Sequence, residues 1–522
     1  MSAEDRSIEL NFDVIVVGSG HAGSCAALSA RDAGAARVLV VDKCPESWAG
    51  GNGYFTAGAH RTVHGGLADL LPLVRNAPPD AARTVDMAPY SAAEFAADID
   101  RLGAGRADPA LVRAVVDGSR AAVGWLAERA GVPFVFSFNR QAYLVDGKQV
   151  FWGGMVLGVE DGGKGLIAAH HKALKEAGVE MWFDTAAEEV ILEEGAVVGL
   201  VVCKDGQRMT LRAPAVVLAC GGFESSRELR SKHLGERWAR AMVRGTPYNT
   251  GDGLTLGQRA GARLTGDFAS CHSTCWDANA SPDVGDRLLS NQFTKSGYPL
   301  GLMLNADGAR FVDEGADFRN YTYAAFGRAI LAQPGGFAFQ VWDSPACEWL
   351  RAEEYADGVV EKVWAESVPA LAEALTTRGL ADAGAFVRTI EAYNAATRAF
   401  AVGNPDKKWD PAVKDGLSTR CAAGALELPK SNWARPLAEG PFLAVKVGCG
   451  ITFTFGGLAI DPDTAGVVND ATGDTIPGLF CTGELVGGLF YNNYPGGSGL
   501  TAGAVFGRKA GGSASRRSRT AL

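Results

Sequence analysis

The sequence has no apolar run near the ~20 residues that a membrane-spanning helix needs, and its start, MSAEDRSIEL, lacks the positive region and apolar stretch of a secretory signal. A cytoplasmic location is expected, with no transmembrane segment. Paired cysteines are missing too: ten cysteines spread over 522 residues without framework spacing point to reduced thiols. The nearest thing to a cluster, Cys271-His272-Ser-Thr-Cys275, is neither a haem attachment nor a zinc pair with a second pair downstream, so buried thiols and no metal are expected. With no haem or iron–sulfur motif, an electron carrier must be bound without those ligands or come from outside. Positive charge is not in excess, at 50 basic against 59 acidic residues, which argues against nucleic acid as a main partner. The one basic cluster, Arg508, Lys509, Arg516, Arg517 and Arg519, lies in Gly- and Ser-containing sequence, and residues 513–522 are expected to be a flexible tail.

What is present is a chain long enough, at 47% hydrophobic residues, to divide into two domains. Its first segment, Phe12-Asp-Val-Ile-Val-Val-Gly18-Ser-Gly20-His-Ala22-Gly23, is an apolar strand running into G-x-G-x-x-G. An alanine-rich stretch and a second apolar run ending in Asp42 follow, the acid nineteen residues after the third glycine. Strand, glycine turn, helix, strand and acid in this order fit a dinucleotide: the glycines let a pyrophosphate approach, the helix N-terminus offers amides, and the carboxylate takes a ribose hydroxyl. Two later strands end on glycines, Val-Val-Leu-Ala-Cys-Gly221-Gly222 and Leu-Phe-Cys-Thr-Gly483-Glu484, as strands returning to the same dinucleotide would. A second match, Gly497-Ser498-Gly499-Leu500-Thr-Ala502, follows Tyr-Pro-Gly rather than a strand, so it reads as a helix N-terminus facing a flavin ring and not as a second nucleotide domain. FAD is favoured over NAD.

Together these strings, with GGN at 50–52, RGTPYNTGDG at 244–253, ARFVDEGADFR at 309–319 and GITFTFGGLAID at 450–461, resemble the flavoproteins related to fumarate reductase and succinate dehydrogenase. That group includes 3-ketosteroid Δ1-dehydrogenases and tricarballylate dehydrogenase, and the motifs are most similar to the last. The resemblance implies an α/β fold with a Rossmann-like FAD domain from residues 1–266 and 436–512, and an inserted α+β capping domain over 267–435. It further implies FAD contacts from Gly18, Gly20, Ala22, Gly23, Asp42, Lys43, Gly51, Asn52, Gly221, Gly222, Asp252, Gly483, Glu484, Ser498, Gly499 and Leu500. Relatives with covalent flavin carry a histidine where this chain has Asn52, so noncovalent FAD is expected.

The same resemblance places chemistry in Phe311-Val-Asp-Glu-Gly-Ala-Asp-Phe-Arg319-Asn-Tyr321-Thr-Tyr323. In fumarate reductases an arginine at the position of Arg319 carries the proton. An arginine is a poor base at its ordinary pKa of ~12.5, and Asp313, Glu314 and Asp317 are the expected helpers. The plain alternative is a loop salt bridge worth ~0 to 1 kcal/mol. His272, Thr294 and Lys295 fall near the family's substrate contacts. Two departures stand out: Thr452-Phe453-Thr454-Phe455 replaces a His-His-Thr string, and Tyr494 replaces an arginine. Loss of two cationic ligands argues against succinate or fumarate, whereas Tyr494 resembles the tyrosine that ketosteroid dehydrogenases use on the carbonyl of their substrate. Tyr321 and Tyr323 are further candidates for base or donor. The expectation is a dehydrogenase that desaturates a C–C bond beside a carboxylate or ketone, hydride passing to flavin N5 and electrons to an external acceptor. Alternatives are a steroid-type or cyclic ketone 1,2-dehydrogenase, an enoate reductase, or a flavin-bearing electron-transfer subunit.

Overall fold

The computed structural model describes residues 10–421 and 426–521. The apolar run Val14–Val17 forms strand β1, buried at every position, as a parallel strand covered on both faces must be. Parallel to it lie β2 (Val38–Val41) on one side and β4 (Val216–Leu218) on the other, with β3 (Glu180–Trp182) beyond β2 and the strand Thr475–Cys481 beyond β4. Helix α1 (His21–Asp32) starts at the end of β1, and α2 (Gly162–Glu176) precedes β3. These sequence-distant segments therefore end at one edge of a single sheet.

A second sheet is built around two long strands. Strand β5 (Leu264–Asp277) runs antiparallel to β8 (Phe442–Leu458) over most of its length. Between them β6 (Leu302–Asn305) pairs with β7 (Ala338–Trp342), which pairs with β8. Helix α3 (Arg319–Leu331) packs on β5, while α4 (Val368–Thr376) and α5 (Ala383–Gly403) bury Leu371, Leu375, Phe386 and Ile390 against Phe339 and Val341. Side-chain caps from Ser367 and Asp382 open α4 and α5. No helix among the described residues is long and apolar enough to cross a membrane.

The C-terminal segment differs from expectation. Helix α6 (Ser498–Thr520) continues through 513–520, with Ser513, Ala514, Ser515 and Ser518 buried. Its small residues are a packing face and not a sign of fraying. A Cβ on Gly507 would lie 2.7 Å from the Ala22 carbonyl oxygen, and one on Gly511 would lie 2.1 Å from that of Ala26, so the two helices touch backbone to backbone. Ser515 and Arg519 then donate to the Ala33 carbonyl at 3.0 and 2.8 Å, at the end of α1. Gly511→Ala should destabilise the protein by about 1 to 3 kcal/mol despite alanine's better helix propensity, seen as a lower melting temperature.

Candidate functional site

A cavity of about 240 Å³ runs from the β1–α1 turn, past the start of α6, to the face of α3 and β5. At the β1 end it is lined by Gly18, Gly20, Ala22, Asp42, Lys43, Gly51, Asn52, Gly221, Asp252, Gly483, Glu484, Gly499 and Leu500, all expected from the sequence. Gly18 has φ +112°, and a Cβ there would meet the Ala219 carbonyl oxygen at 2.4 Å, so the turn lies hard against the end of β4. Asp42 accepts from the Ser19 backbone N–H at 2.8 Å and its hydroxyl at 2.7 Å, and Lys43 pairs with Asp252 at 2.6 Å. A glycine cradle at one helix start, an acid at the end of β2 and a second helix start opposite fit a dinucleotide with a ring system. Gly23, Gly222 and Ser498 do not reach the cavity. A Cβ on Gly23 would fall 2.0 Å from the Gly18 carbonyl oxygen and one on Gly222 would fall 2.1 Å from Glu484 Oε1, while the Ser498 hydroxyl donates to Pro495. These three shape the cavity from behind.

Beside Asn52 lies a buried acid pair. Glu224 and Glu484 interact directly in the interior, where two neighbouring carboxyl groups favour retaining a proton. Glu224 Oε1 accepts from Asn52 and Asn249, and Glu484 Oε1 accepts from the Thr454 N–H at 2.7 Å and hydroxyl at 2.9 Å. Burial raises the Glu224 pKa to about 7, hydrogen bonds opposing it, and burial pushes Glu484 up as well. Between pH 4.5 and 7 the folded state holds on Glu224 a proton that the unfolded state has lost, so stability falls as pH rises through this window, and raised Glu484 adds to the fall. Glu224→Gln, whose amide donates in place of the retained proton, should match wild-type melting near pH 4.5 and exceed it increasingly up to pH 7.

Two histidines and a cysteine sit together beside the turn. The His21 Nε2–H donates to the Leu500 carbonyl at 2.9 Å, so its Nδ1 accepts from His170 Nε2, also at 2.9 Å. Burial brings the His21 pKa down to about 4, leaving a neutral pair, with Cys25 close enough to complete a group of three metal-ligand atoms.

At the α3 end the cavity is rich in arginine. Arg319 is the first residue of α3, buried, with its guanidinium over Trp152 and Tyr143 at 5.3 and 5.8 Å. Its Nη2 donates to the Arg140 carbonyl at 2.8 Å, and Arg351 Nη2 donates to the same oxygen at 2.8 Å. Glu354 is fully buried and accepts from Arg351 at 2.7 Å, with Arg140 at 3.5 Å. Burial brings the Arg319 pKa down to about 10, with Arg351 adding to the fall while Tyr143 and Glu354 oppose it. Arg244 lies over Trp276, donates to Asn291 and is depressed by burial. The buried Nε atoms of Arg244, Arg319 and Arg351 have no partner among the described residues. Arg140, Arg244, Arg319 and Arg351 all line the cavity, and such an excess of cationic side chains suits an anion.

Next to them is a neutral donor chain. The Tyr494 hydroxyl is 3.1 Å from the Tyr323 hydroxyl and 3.1 Å from His272 Nδ1. Burial and Tyr323 hold the Tyr494 pKa well above its ordinary value, and burial with Arg244 holds His272 well below its own, so Tyr494 and His272 are uncharged. The loop bearing Tyr494 is fixed to α3: the Gly496 N–H donates to the Asn320 carbonyl at 2.7 Å and the Asn493 amide to that of Tyr321 at 2.7 Å. Buried Arg61 holds the Gly496 carbonyl from the other side at 2.8 Å. Phe453 supplies an apolar wall, with Phe455 behind it at 5.3 Å between ring centres.

Several sequence expectations change here. The acids around Arg319 do not serve it: Asp313 binds Ser431, Glu314 pairs with Arg310 at 2.5 Å, and Asp317 with Arg101 at 2.7 Å. Tyr321 leaves the cavity, its hydroxyl donating to Asp98 and near the Gly153 carbonyl, because on a helix it points away from the face shared by Arg319 and Tyr323. His272, Thr294 and Thr452 line the cavity, whereas Lys295 faces the interior and pairs with fully buried Asp277 at 3.3 Å. Thr454 is covered by Glu484, to which it donates. Arg140, Arg244 and Arg351 more than replace the two cations absent from the Thr452 and Tyr494 positions. Arg244 stood in the RGTPYNTG string, but no spacing marked Arg140, Arg351 or Glu354.

Residues 13–500 match the FAD binding domain family, and the chain belongs to it; FAD is its cofactor. It is 28% identical over 523 residues to the NADH:fumarate oxidoreductase of Klebsiella pneumoniae, covering 98% of this chain and 48% of that protein, so the chain spans about half the length of that relative. It is 28% identical over 368 residues to the 4-oxocyclohex-2-ene-1-carboxylate 5-dehydrogenase of Sinomonas cyclohexanicum, covering 67% of this chain and 59% of that one. Its fold is that of the 3-ketosteroid Δ1-dehydrogenase from Sterolibacterium denitrificans in complex with 1,4-androstadiene-3,17-dione, at TM-score 0.71, 20% identity, 98% of this chain and 100% of that chain.

Proposed function

We propose that this member of the FAD binding domain family, an FAD-dependent oxidoreductase, desaturates a C–C bond next to a carboxylate or ketone. The observation that carries the reading is the meeting in one cavity of the glycine turn, the cluster of arginines and the Tyr494–Tyr323–His272 chain. FAD, held noncovalently by the residues at the β1 end, supplies a two-electron hydride acceptor. Arg319 takes the proton from the carbon beside the activating group, a role its depressed pKa favours. Tyr494, backed by Tyr323 and His272, donates to the oxygen on which charge develops. Arg351 and Arg140, beside Arg319, hold a carboxylate, Arg244 stands at the tyrosine end, and Thr294 and Thr452 complete the wall. The name of the Sinomonas relative supports the oxidative direction. The opposite direction, with Arg319 giving the proton, is the second reading, favoured by the Klebsiella relative whose match covers 98% of this chain.

Anaerobic mixing of the holoenzyme with tricarballylate, cyclic ketones and steroids tests the reading. One of these classes should bleach the flavin, and acid precipitation should release it. Bleaching by a partner protein and by no small molecule would instead support an electron-transfer subunit.

A further inference from the structure

The wall of the cavity opposite the glycine turn has two ends of different chemistry, and α3 sets the distance between them. Arg319 and Tyr323 are four residues apart on this helix and both face the cavity, so their backbones are roughly 6 Å apart along its axis at 1.5 Å per residue. The Arg319 end holds charge in excess. Arg140, Arg319 and Arg351 meet there against two carboxylates, buried Glu354 and the more exposed Glu353, which lies 3.3 Å from Arg140. The Tyr323 end holds two phenols and an imidazole in a hydrogen-bonded chain, with Tyr494 and His272 uncharged and Phe453 packed on Tyr494 at 5.5 Å between ring centres. The cations acting on Tyr494 are Arg244, bonded to Asn291, and Arg61, bonded to the Gly496 carbonyl, and neither is bonded to either phenol.

What each end accepts is decided by pairing. A carboxylate brought to the arginines offsets their excess positive charge, whereas a neutral group would leave it unbalanced. A carbonyl oxygen accepts from a phenol without needing a counter-charge, whereas a carboxylate there would be desolvated beside neutral donors. We propose that the substrate carries both groups: at least one carboxylate, taken at the Arg319 end, and a neutral carbonyl, taken by Tyr494, about one helical turn apart. A compact keto acid, such as one spanning a six-membered ring, has this form. The proposal rests on the desaturation reading for its setting but concerns recognition alone.

Four ring compounds separate the groups: 4-oxocyclohexane-1-carboxylate, its methyl ester, cyclohexane-1-carboxylate and cyclohexane-1,4-dicarboxylate, each titrated into oxidised holoenzyme by calorimetry. The keto acid should bind at least about tenfold more tightly than each of the others. Tyr494→Phe should bring it down to the affinity of the plain acid while leaving that acid unchanged, and Arg351→Gln should bring it down to that of the ester. A dicarboxylate or an ester that binds as tightly as the keto acid overturns the proposal, as does equal or absent binding of all four. Selective keto acid binding without flavin bleaching leaves recognition standing and sinks desaturation. Bleaching by the dicarboxylate alone does the reverse.

Discussion

Tyr494→Phe is expected to lower turnover by about 100- to 1000-fold while the purified protein keeps its full complement of FAD. The substitution removes one hydroxyl and leaves the ring in its packing against Phe453 and Phe490, so the loop should hold its place. What is lost is a donor aimed at the oxygen that gains charge as a proton and a hydride leave adjacent carbons. Because that charge is far greater in the transition state than in the bound substrate, the effect should fall on kcat more than on KM. Tyr323→Phe should be milder, since Tyr323 polarises Tyr494 at 3.1 Å and is not itself the proposed donor. Equal effects of the two substitutions on kcat would mean that the chain, and not Tyr494 alone, contacts the substrate.

The second large effect is at Arg319. Arg319→Gln should reduce turnover by about 100-fold or more, and Arg319→Lys should restore part of it, because an amine can still exchange a proton where an amide cannot. The pH profile gives the sign. With a pKa of about 10, Arg319 is protonated at neutral pH, so as a base it is in its active form in only about one molecule in a thousand. Oxidation of the substrate should therefore accelerate as pH rises towards 10, and that rise should vanish in Arg319→Gln. An Arg319→Lys enzyme with full turnover and an unshifted profile would assign the proton to another group. Arg351 contributes by repulsion: its loss removes one of the causes of the low Arg319 pKa, so the limb of the profile should move to higher pH in Arg351→Met.

The dinucleotide end was legible in the sequence because its physics is local. A strand, three glycines, a helix and an acid are written in about thirty consecutive residues, and each residue type is forced by the turn it makes. The tyrosine end was partly legible: Tyr494 precedes the glycines of α6, and its place in that string fixes where it must stand. The arginine end was not, because it is assembled from Arg140, Arg244, Arg319 and Arg351, which come from four segments joined only by tertiary packing. Proximity in sequence misled for the same reason. Asp313, Glu314 and Asp317 lie within six residues of Arg319, yet their partners are Ser431, Arg310 and Arg101. Lys295 looked available beside Thr294, but neighbouring side chains on an extended segment point opposite ways, and its charge is spent on Asp277. The C-terminal segment read as loose because glycine and serine are weak helix formers, a preference outweighed here by the close approach to α1 that only small residues permit.

The central claim is that this cavity removes a hydride and a proton from neighbouring carbons of a small carbonyl compound. Its most direct test is a single anaerobic turnover of the holoenzyme, with flavin bleaching and product followed together. One equivalent of α,β-unsaturated product for each flavin reduced, lost in Tyr494→Phe, is the result expected. Flavin that is reduced by no small molecule, or reduced without an unsaturated product, would contradict it.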